Sequence, residues 1–256
     1  MLEDSLGTAS NEAITDRQVV PTITEDFSRF LRTIATPLKV ICDIGEELKI
    51  EAEILSHDPR VVLLKNFLSD KEILLLRLLA RKQGYKRSEV ESTYDSGSES
   101  HARTSSSADL ERGQNETVRK IESRISQFTF FPPEHLEPFS VVRYRPGEYF
   151  LPHLDTPPPG TLKDKSLMPK QGARLITFMV YLNDLDPEDE GGTTHFPHIG
   201  KGLKVRPEKG AALMWDNFSF ETGCFNWNTL HEGEPPSRSK KIILNTWVRE
   251  YPTKLD

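Results

Sequence analysis

The chain is 256 residues long, enough to bury one substantial core with a smaller appended element. Its composition, 36% hydrophobic and 28% charged, is that of an ordinary soluble protein, and a formal net charge of −6 argues against nucleic acid as the main partner. Two cysteines, Cys42 and Cys224, exclude a disulfide framework although not a single bridge, and no apolar run approaches the roughly 20 residues of a membrane span.

Residues 1–22 are polar and aperiodic and read as a flexible tail. They carry neither a basic n-region nor an apolar h-region, so no secretory signal is visible and the cytoplasm is the expected compartment. A chain with its signal already removed would look the same, which keeps the ER and secretory route open. Residues 23–58 form an N-terminal helix and extended region. Thr24 caps a predicted helix with Phe27, Phe30, Leu31 and Ile34 on one face, and residues 47–66 read as extended, with a buried strand at Val61–Leu64. The clearest helix start is Ser69 with Glu72, a capping box followed by Ile73 to Leu79 and a stop near Gly84. Residues 92–109 are rich in serine and read as a solvated loop, of a length that often serves as a lid. A second helix carries Val118, Ile121, Ile125 and Phe128 on one face.

After Pro133 the pattern changes to short strand-like runs separated by Gly, Pro, Asn and Asp: Phe139–Tyr144, Leu175–Leu182, Gly202–Val205, Ala211–Trp215 and Lys241–Val248. Several such runs predict a sandwich or jelly roll, with the helices as an outer brace. The last run places Lys241, Ile243, Asn245 and Trp247 on one face and Ile242, Leu244, Thr246 and Val248 on the other. The second is a core face. The first suits a pocket lining, and a lysine in a pocket wants an anion.

The chemistry is carried by YRPGEYFLPHLD, residues 144–155, where His153 and Asp155 flank one residue. On a strand they would point the same way, presenting an imidazole and a carboxylate side by side. His231, in NTLHEG, is the well-placed third arm. Two histidines and one carboxylate on one face of an octahedral ion are the facial triad of non-haem Fe(II) oxygenases. His195 and His198 form an HxxH without a second ligand pair, which is little support for structural zinc.

RYRPGEYFLPHLD, then GARLITFMVYLNDLDPEDEGGTTHFP, then LHEG with Lys241 ten residues past His231, resembles the prolyl 4-hydroxylase family over roughly residues 60–250. The resemblance implies mainly β structure with α: a double-stranded β-helix (jelly roll) core at about 136–250, within a dioxygenase domain of residues 59–250, braced by N-terminal helices. It implies Fe(II), with 2-oxoglutarate and O₂ as cosubstrates and ascorbate as reductant. It also implies hydroxylation of a prolyl residue in a peptide or protein to 4-hydroxyproline, with release of succinate and CO₂. His153, Asp155 and His231 match the iron ligands, and Lys241, Tyr144 and Thr194 the positions that hold 2-oxoglutarate. Arg174 and Trp247 match positions at the mouth of the site, where substrate lies, and Tyr149 is a further candidate substrate residue. Halogenating relatives lack the carboxylate that Asp155 provides, so hydroxylation is the implied outcome.

Three departures bear on the substrate. Phe150 stands three residues before His153, where the family favours tyrosine. Glu234 stands where secreted members usually carry cysteine. The segment FETGCFNWNT before His231 holds more aromatic residues than a turn requires. Two alternatives stay open: the same chemistry on a free amino acid or other small molecule, and a non-catalytic binding module of the same fold. The sequence does not set the oligomeric state.

Overall fold

The computed structural model describes residues 38–41, 47–88, 101–158, 170–219 and 222–253. The helix predicted from Thr24 lies outside the described residues. The strands are β1 (Leu38–Ile41), β2 (Glu47–His57), β3 (Arg60–Lys65), β4 (Lys86–Arg87), β5 (Ser106–Leu110), β6 (Phe139–Tyr144) and β7 (Phe150–His153). They continue as β8 (Arg174–Tyr181), β9 (Thr194–Phe196), β10 (Leu203–Val205), β11 (Ala212–Asp216), β12 (His231–Gly233) and β13 (Lys241–Arg249). Two helices, α1 (Asp70–Gln83) and α2 (Glu116–Thr129), stand between β3 and β6.

Among the described residues the strands form two sheets. The larger has the order β1-β2-β3-β11-β8-β13-β6-β5-β4, and the smaller β10-β9-β12-β7. All pairings are antiparallel. This is the predicted jelly roll, with its larger sheet extended at both edges. The pairing of β2 with β3 runs across the division placed after residue 58.

Alternation along the large sheet creates two cores. Leu64, Phe178, Val180, Met214, Leu244 and Val248 face the helices, where Ile73 and Leu76 of α1 and Val118, Ile121, Ile125 and Phe128 of α2 cover them. Phe67, in the turn after β3, packs edge-on against Phe128 at 5.8 Å and tilted against Phe178 at 5.0 Å. The opposite face carries Val61, Leu63, Val142, Met179, Tyr181, Leu213, Trp215 and Ile243, packed against Phe196 and Val205 of the small sheet. The brace stiffens the large sheet from outside; the second core sets the gap in which the site lies.

The capping box at α1 forms as predicted. Ser69 Oγ accepts from the Glu72 amide, and the Glu72 carboxylate accepts from the Ser69 amide at 2.9 Å. The same carboxylate takes two hydrogen bonds from the buried Arg124 of α2, at 2.7 and 3.1 Å, and Arg124 also donates to the Phe67 carbonyl. One buried ion pair therefore joins both helices to the turn beneath them.

The serine-rich stretch departs from its reading as a loop. Its last residues form β5, which pairs with β6 from Ser106↔Arg143 to Leu110↔Phe139. Ala108 and Leu110 are buried, and the ladder satisfies backbone groups that the small side chains leave accessible. Ser105 donates to Ser88 in the interior, and Leu151 donates its amide to the Ala102 carbonyl, so the segment is stitched to β7. Residues 92–100 lie outside the described residues.

Glu72→Ala leaves the Arg124 guanidinium buried without its counter-charge and removes half the capping box. We expect a loss of about 3–5 kcal/mol in unfolding free energy, read as a lower denaturation midpoint in urea.

Candidate active site

The site lies where the small sheet meets the large one. β12 pairs with β7 so that His231 stands directly opposite His153. Directly opposed residues share a face, and the two imidazole centroids are 4.2 Å apart. Each ring is oriented from behind: His153 Nδ1 bonds the Leu151 carbonyl at 2.8 Å, and His231 Nδ1 bonds the Thr229 carbonyl at 2.9 Å. A carbonyl only accepts, so Nδ1 carries the proton in both and each Nε2 presents its lone pair. β7 ends at His153, so a bend rather than strand alternation brings Asp155 to the same side. Its carboxylate oxygens stand 3.9 Å from His153 Nε2 and 3.7 Å from His231 Nε2. The three candidate ligand atoms lie within 4.8 Å of one another.

The neighbours hold the groups in ligating form. Burial pushes Asp155 up, but the His231 and His153 imidazoles, the Arg174 guanidinium and the Thr177 hydroxyl outweigh it and keep the carboxyl below its usual range. Burial and His231 push the His153 imidazole down to about 3, against the pull of Asp155 and the Leu151 carbonyl, so it stays neutral. Thr177 Oγ1 donates to Asp155 Oδ2 at 2.6 Å, and Asn217 Nδ2 donates to Thr177 Oγ1 at 3.2 Å. Neither Thr177 nor Asn217 is marked by the HxD reading. Thr177 is betrayed only by being a polar residue in the apolar run LITFMVYL.

A second group lies farther along β12. Gly233 pairs with Thr194 of β9, two strand residues past His231, or about 7 Å. Thr194 Oγ1 is 3.0 Å from the Tyr181 hydroxyl and 3.4 Å from Lys241 Nζ, and Nζ donates to the Thr193 carbonyl at 3.2 Å. Tyr144 stands opposite Lys241 across β6 and β13, its ring centroid 5.7 Å from Nζ. Lys241, Thr194 and Tyr144 are thus brought together as expected, and Tyr181 is a member that the sequence did not mark. Burial pushes Lys241 down to about 7, with Glu234 opposing, and burial pushes the Tyr181 phenol up.

Trp247 stands opposite Thr177, on the face that carries Asp155's partner. Arg174 lies over its indole at 3.9 Å and makes a two-pronged ion pair with Glu137, at 2.6 and 2.8 Å. Arg174 therefore has both a site-facing contact and an ion pair. Tyr149 joins the structure through its backbone, which exchanges hydrogen bonds with Thr104. Phe150 is stacked on His153 at 3.5 Å and 17°, with the Arg103 guanidinium 4.7 Å from its centroid. His195 turns outward to Glu232, at 2.7 Å, and His198 is exposed; His195, Glu232 and Glu234 form a second acidic cluster, in which Lys204 pairs with Glu234.

A model of the 2OG-Fe(II) oxygenase superfamily matches residues 139–249. The chain is 32% identical over 220 residues to Probable prolyl 4-hydroxylase 10 of Arabidopsis thaliana, covering 79% of this chain and 73% of that one. It is also 32% identical over 220 residues to Prolyl 4-hydroxylase 5 of the same plant, covering 79% and 72%. Among solved structures, the viral collagen prolyl hydroxylase of Paramecium Bursaria Chlorella virus-1, in complex with 2OG, superposes with a TM-score of 0.58 at 28% identity, covering 74% of this chain and 95% of that one. Fold and matches define the class, an Fe(II)- and 2-oxoglutarate-dependent dioxygenase. Within it, the chain belongs to the prolyl 4-hydroxylase family.

The residues present fit those cofactors. Two Nε2 lone pairs and a carboxylate suit Fe(II), and a buried ammonium whose hydrogen-bond partners among the described residues are neutral oxygens suits a dicarboxylate. Thr177→Val removes the donor that orients Asp155 while keeping its shape. We expect the dissociation constant for Mn(II), used as a redox-stable probe in calorimetry, to rise about 10–100-fold.

Proposed function

We propose that this chain hydroxylates a prolyl residue of a peptide or protein, with His153, Asp155 and His231 holding the iron and Lys241, Thr194 and Tyr144 holding 2-oxoglutarate. The observation that carries the assignment is Lys241. Lys241 is 2% exposed, and its ammonium's hydrogen-bond partners among the described residues are the Thr193 carbonyl and the hydroxyl of Thr194, which stands opposite Gly233, two strand residues along from His231. An ammonium buried with neutral partners is costly, and a bound carboxylate supplies the missing counter-charge.

When bound, Fe(II) supplies O₂ activation coupled to oxidative decarboxylation: one oxygen atom goes into succinate, formed with CO₂, and the other is inserted into a substrate C–H bond. The residues of the chain do the rest. Lys241 and the Thr194 hydroxyl orient the distal carboxylate, and Tyr144 walls the channel beside them. The Leu151 and Thr229 carbonyls keep both imidazoles in the ligating tautomer, and Thr177 fixes the carboxylate. Phe150 and Trp215, whose ring centroid is 4.7 Å from that of His231, exclude water from the histidines. Arg174 and Trp247 form one wall of the mouth. Phe150 offers no hydroxyl, and the Trp247 indole N–H and the Asn245 side-chain carbonyl, on one face of β13, are themselves buried. Among the described residues neither has a hydrogen-bond partner. Ascorbate is the proposed reductant that keeps the metal ferrous during turnover.

The test is succinate formation from 2-oxoglutarate with Fe(II) and ascorbate, with and without proline-containing peptides. Peptide-stimulated turnover, with a gain of one oxygen on proline and its loss in Asp155→Ala, supports the proposal. Turnover stimulated by free amino acids but by no peptide would overturn the polypeptide part. The Lys241 assignment adds a pH signature. The free ammonium titrates near 7, and 2-oxoglutarate binds the protonated form. Affinity is therefore full below pH 7 and falls as pH rises above it, by up to about tenfold per unit. In Lys241→Met, affinity is low and this alkaline dependence is gone, both read by anaerobic titration.

A further inference from the structure

The apolar run of β11 ends in two polar residues that the fold buries, Asp216 and Asn217, at 2% and 1% exposure. Asp216 is paired with the buried Arg60 at 2.6 and 2.7 Å, which pins the end of the strand. Asn217, the next residue, is fixed by four hydrogen bonds. Its backbone amide donates to the Leu175 carbonyl at 2.9 Å, and its backbone carbonyl accepts from the Asn226 amide at 3.1 Å. Its side-chain nitrogen donates to the Arg174 carbonyl at 3.0 Å and to Thr177 Oγ1 at 3.2 Å. A carbonyl only accepts, so the bond to Arg174 settles which end of the amide faces β8. It is the NH₂ group, and both of its hydrogens are engaged.

The consequence falls on Thr177. Asn217 offers Thr177 Oγ1 a donor and no lone pair, so the hydroxyl accepts from Asn217 and its single proton goes to Asp155 Oδ2, 2.6 Å away. Accepting one hydrogen bond polarises the hydroxyl and strengthens the one it donates. The two oxygens of Asp155 are thereby made unequal. Oδ2 is tied to the protein, while Oδ1 has no hydrogen-bond partner among the described residues. Asn217 itself bears a cost for this arrangement: its side-chain oxygen is buried without a partner among the described residues. A buried acceptor left unpaired is unfavourable, and here the donors at the other end of the same amide account for it.

We propose that Asn217 is a positioning residue, which through Thr177 holds Asp155 as a one-oxygen ligand, with Oδ2 kept by the protein and Oδ1 left for the metal. On an octahedral ion three protein donors leave three positions, enough for two oxygens of 2-oxoglutarate and for O₂. A carboxylate ligating through both oxygens would take one of those three. The relay therefore bears on how many positions stay open as well as on where the carboxylate points. This inference rests on the metal assignment above and extends it from the ligands to the residue behind them.

The test is Mn(II) binding, read by calorimetry in wild type, Asn217→Leu, Asn217→Ala, Thr177→Val and each Asn217 variant combined with Thr177→Val. Alone, the Asn217 variants are expected to raise the dissociation constant about tenfold. Combined with Thr177→Val they are expected to add nothing, because the relay is already broken there. An Asn217 variant that binds Mn(II) as wild type does overturns the proposal. So does a loss that multiplies with that of Thr177→Val, which would mean that Asn217 acts through the fold and not through the hydroxyl. Wild type supplies a readout that depends on no variant folding. On loading with Zn(II), the side-chain amide protons of Asn217 are expected to shift in a heteronuclear NMR spectrum, while those of Asn226, bonded to Asp58, stay in place. Unshifted Asn217 protons overturn the relay. A wild type that binds neither metal would instead defeat the metal assignment itself, and the wild-type titrations alone report that.

Discussion

The arrangement depends on one cross-strand register, His231 opposite His153 in the small sheet. Side chains in a sheet have period two, so a slip of one residue would turn one imidazole away from the other and dissolve the cluster. Both strands are short, four residues in β7 and three in β12, and their own ladder bonds cannot fix the register. It is fixed from outside. Phe196 and Trp215 pack against the His231 ring, Phe150 stacks on His153, and Ala102 and Thr104 pair with the chain around Phe150. The large sheet and its helical brace supply the rigid wall against which these short strands settle.

Among the described residues, Lys241 is a buried cation hydrogen-bonded to neutral oxygens, with the Glu234 carboxylate acting on it from farther away. Glu72 with Arg124, Arg60 with Asp216, and Glu137 with Arg174 are buried or half-buried pairs, satisfied within the chain. Asp189 is equally buried and accepts from the amides of Ser237, Arg238 and Ser239 and from two serine hydroxyls, which shape the turn leading into β13. Lys241 follows that turn directly. Its approach is ordered by that turn, while among the described residues its ammonium donates hydrogen bonds to neutral oxygens. The fold tolerates this because the stability lost at Lys241 is recovered when an anion binds.

Much of this was legible in the sequence, and for identifiable reasons. The runs Phe139–Tyr144 and Lys241–Val248 are long enough for period-two alternation to show, so the two faces of β13 could be assigned before any coordinates. Ser69 with Glu72 declared α1 because a capping box is a local, chemically specific signal. β9 and β12 were not legible, since three residues carry no period, and β5 was hidden by serines that usually mark loops. The second layer of the site stayed hidden for a different reason. Thr177, Tyr181 and Asn217 matter only through partners far away in sequence, and no spacing rule links Thr177 to Asp155. Asp155 itself was rightly paired with His153, but a bend past the end of β7 makes the pairing, not strand alternation.

The most direct test of the central claim is an anaerobic titration of 2-oxoglutarate into the protein loaded with Fe(II), followed by visible absorption. The account predicts a metal-to-ligand charge-transfer band that saturates at one equivalent in wild type, is absent in His231→Ala, and needs far more 2-oxoglutarate in Lys241→Met. A wild-type protein that binds Fe(II) but gives no band, or a band that His231→Ala leaves unchanged, would contradict the assignment of these residues as one metal and cosubstrate site.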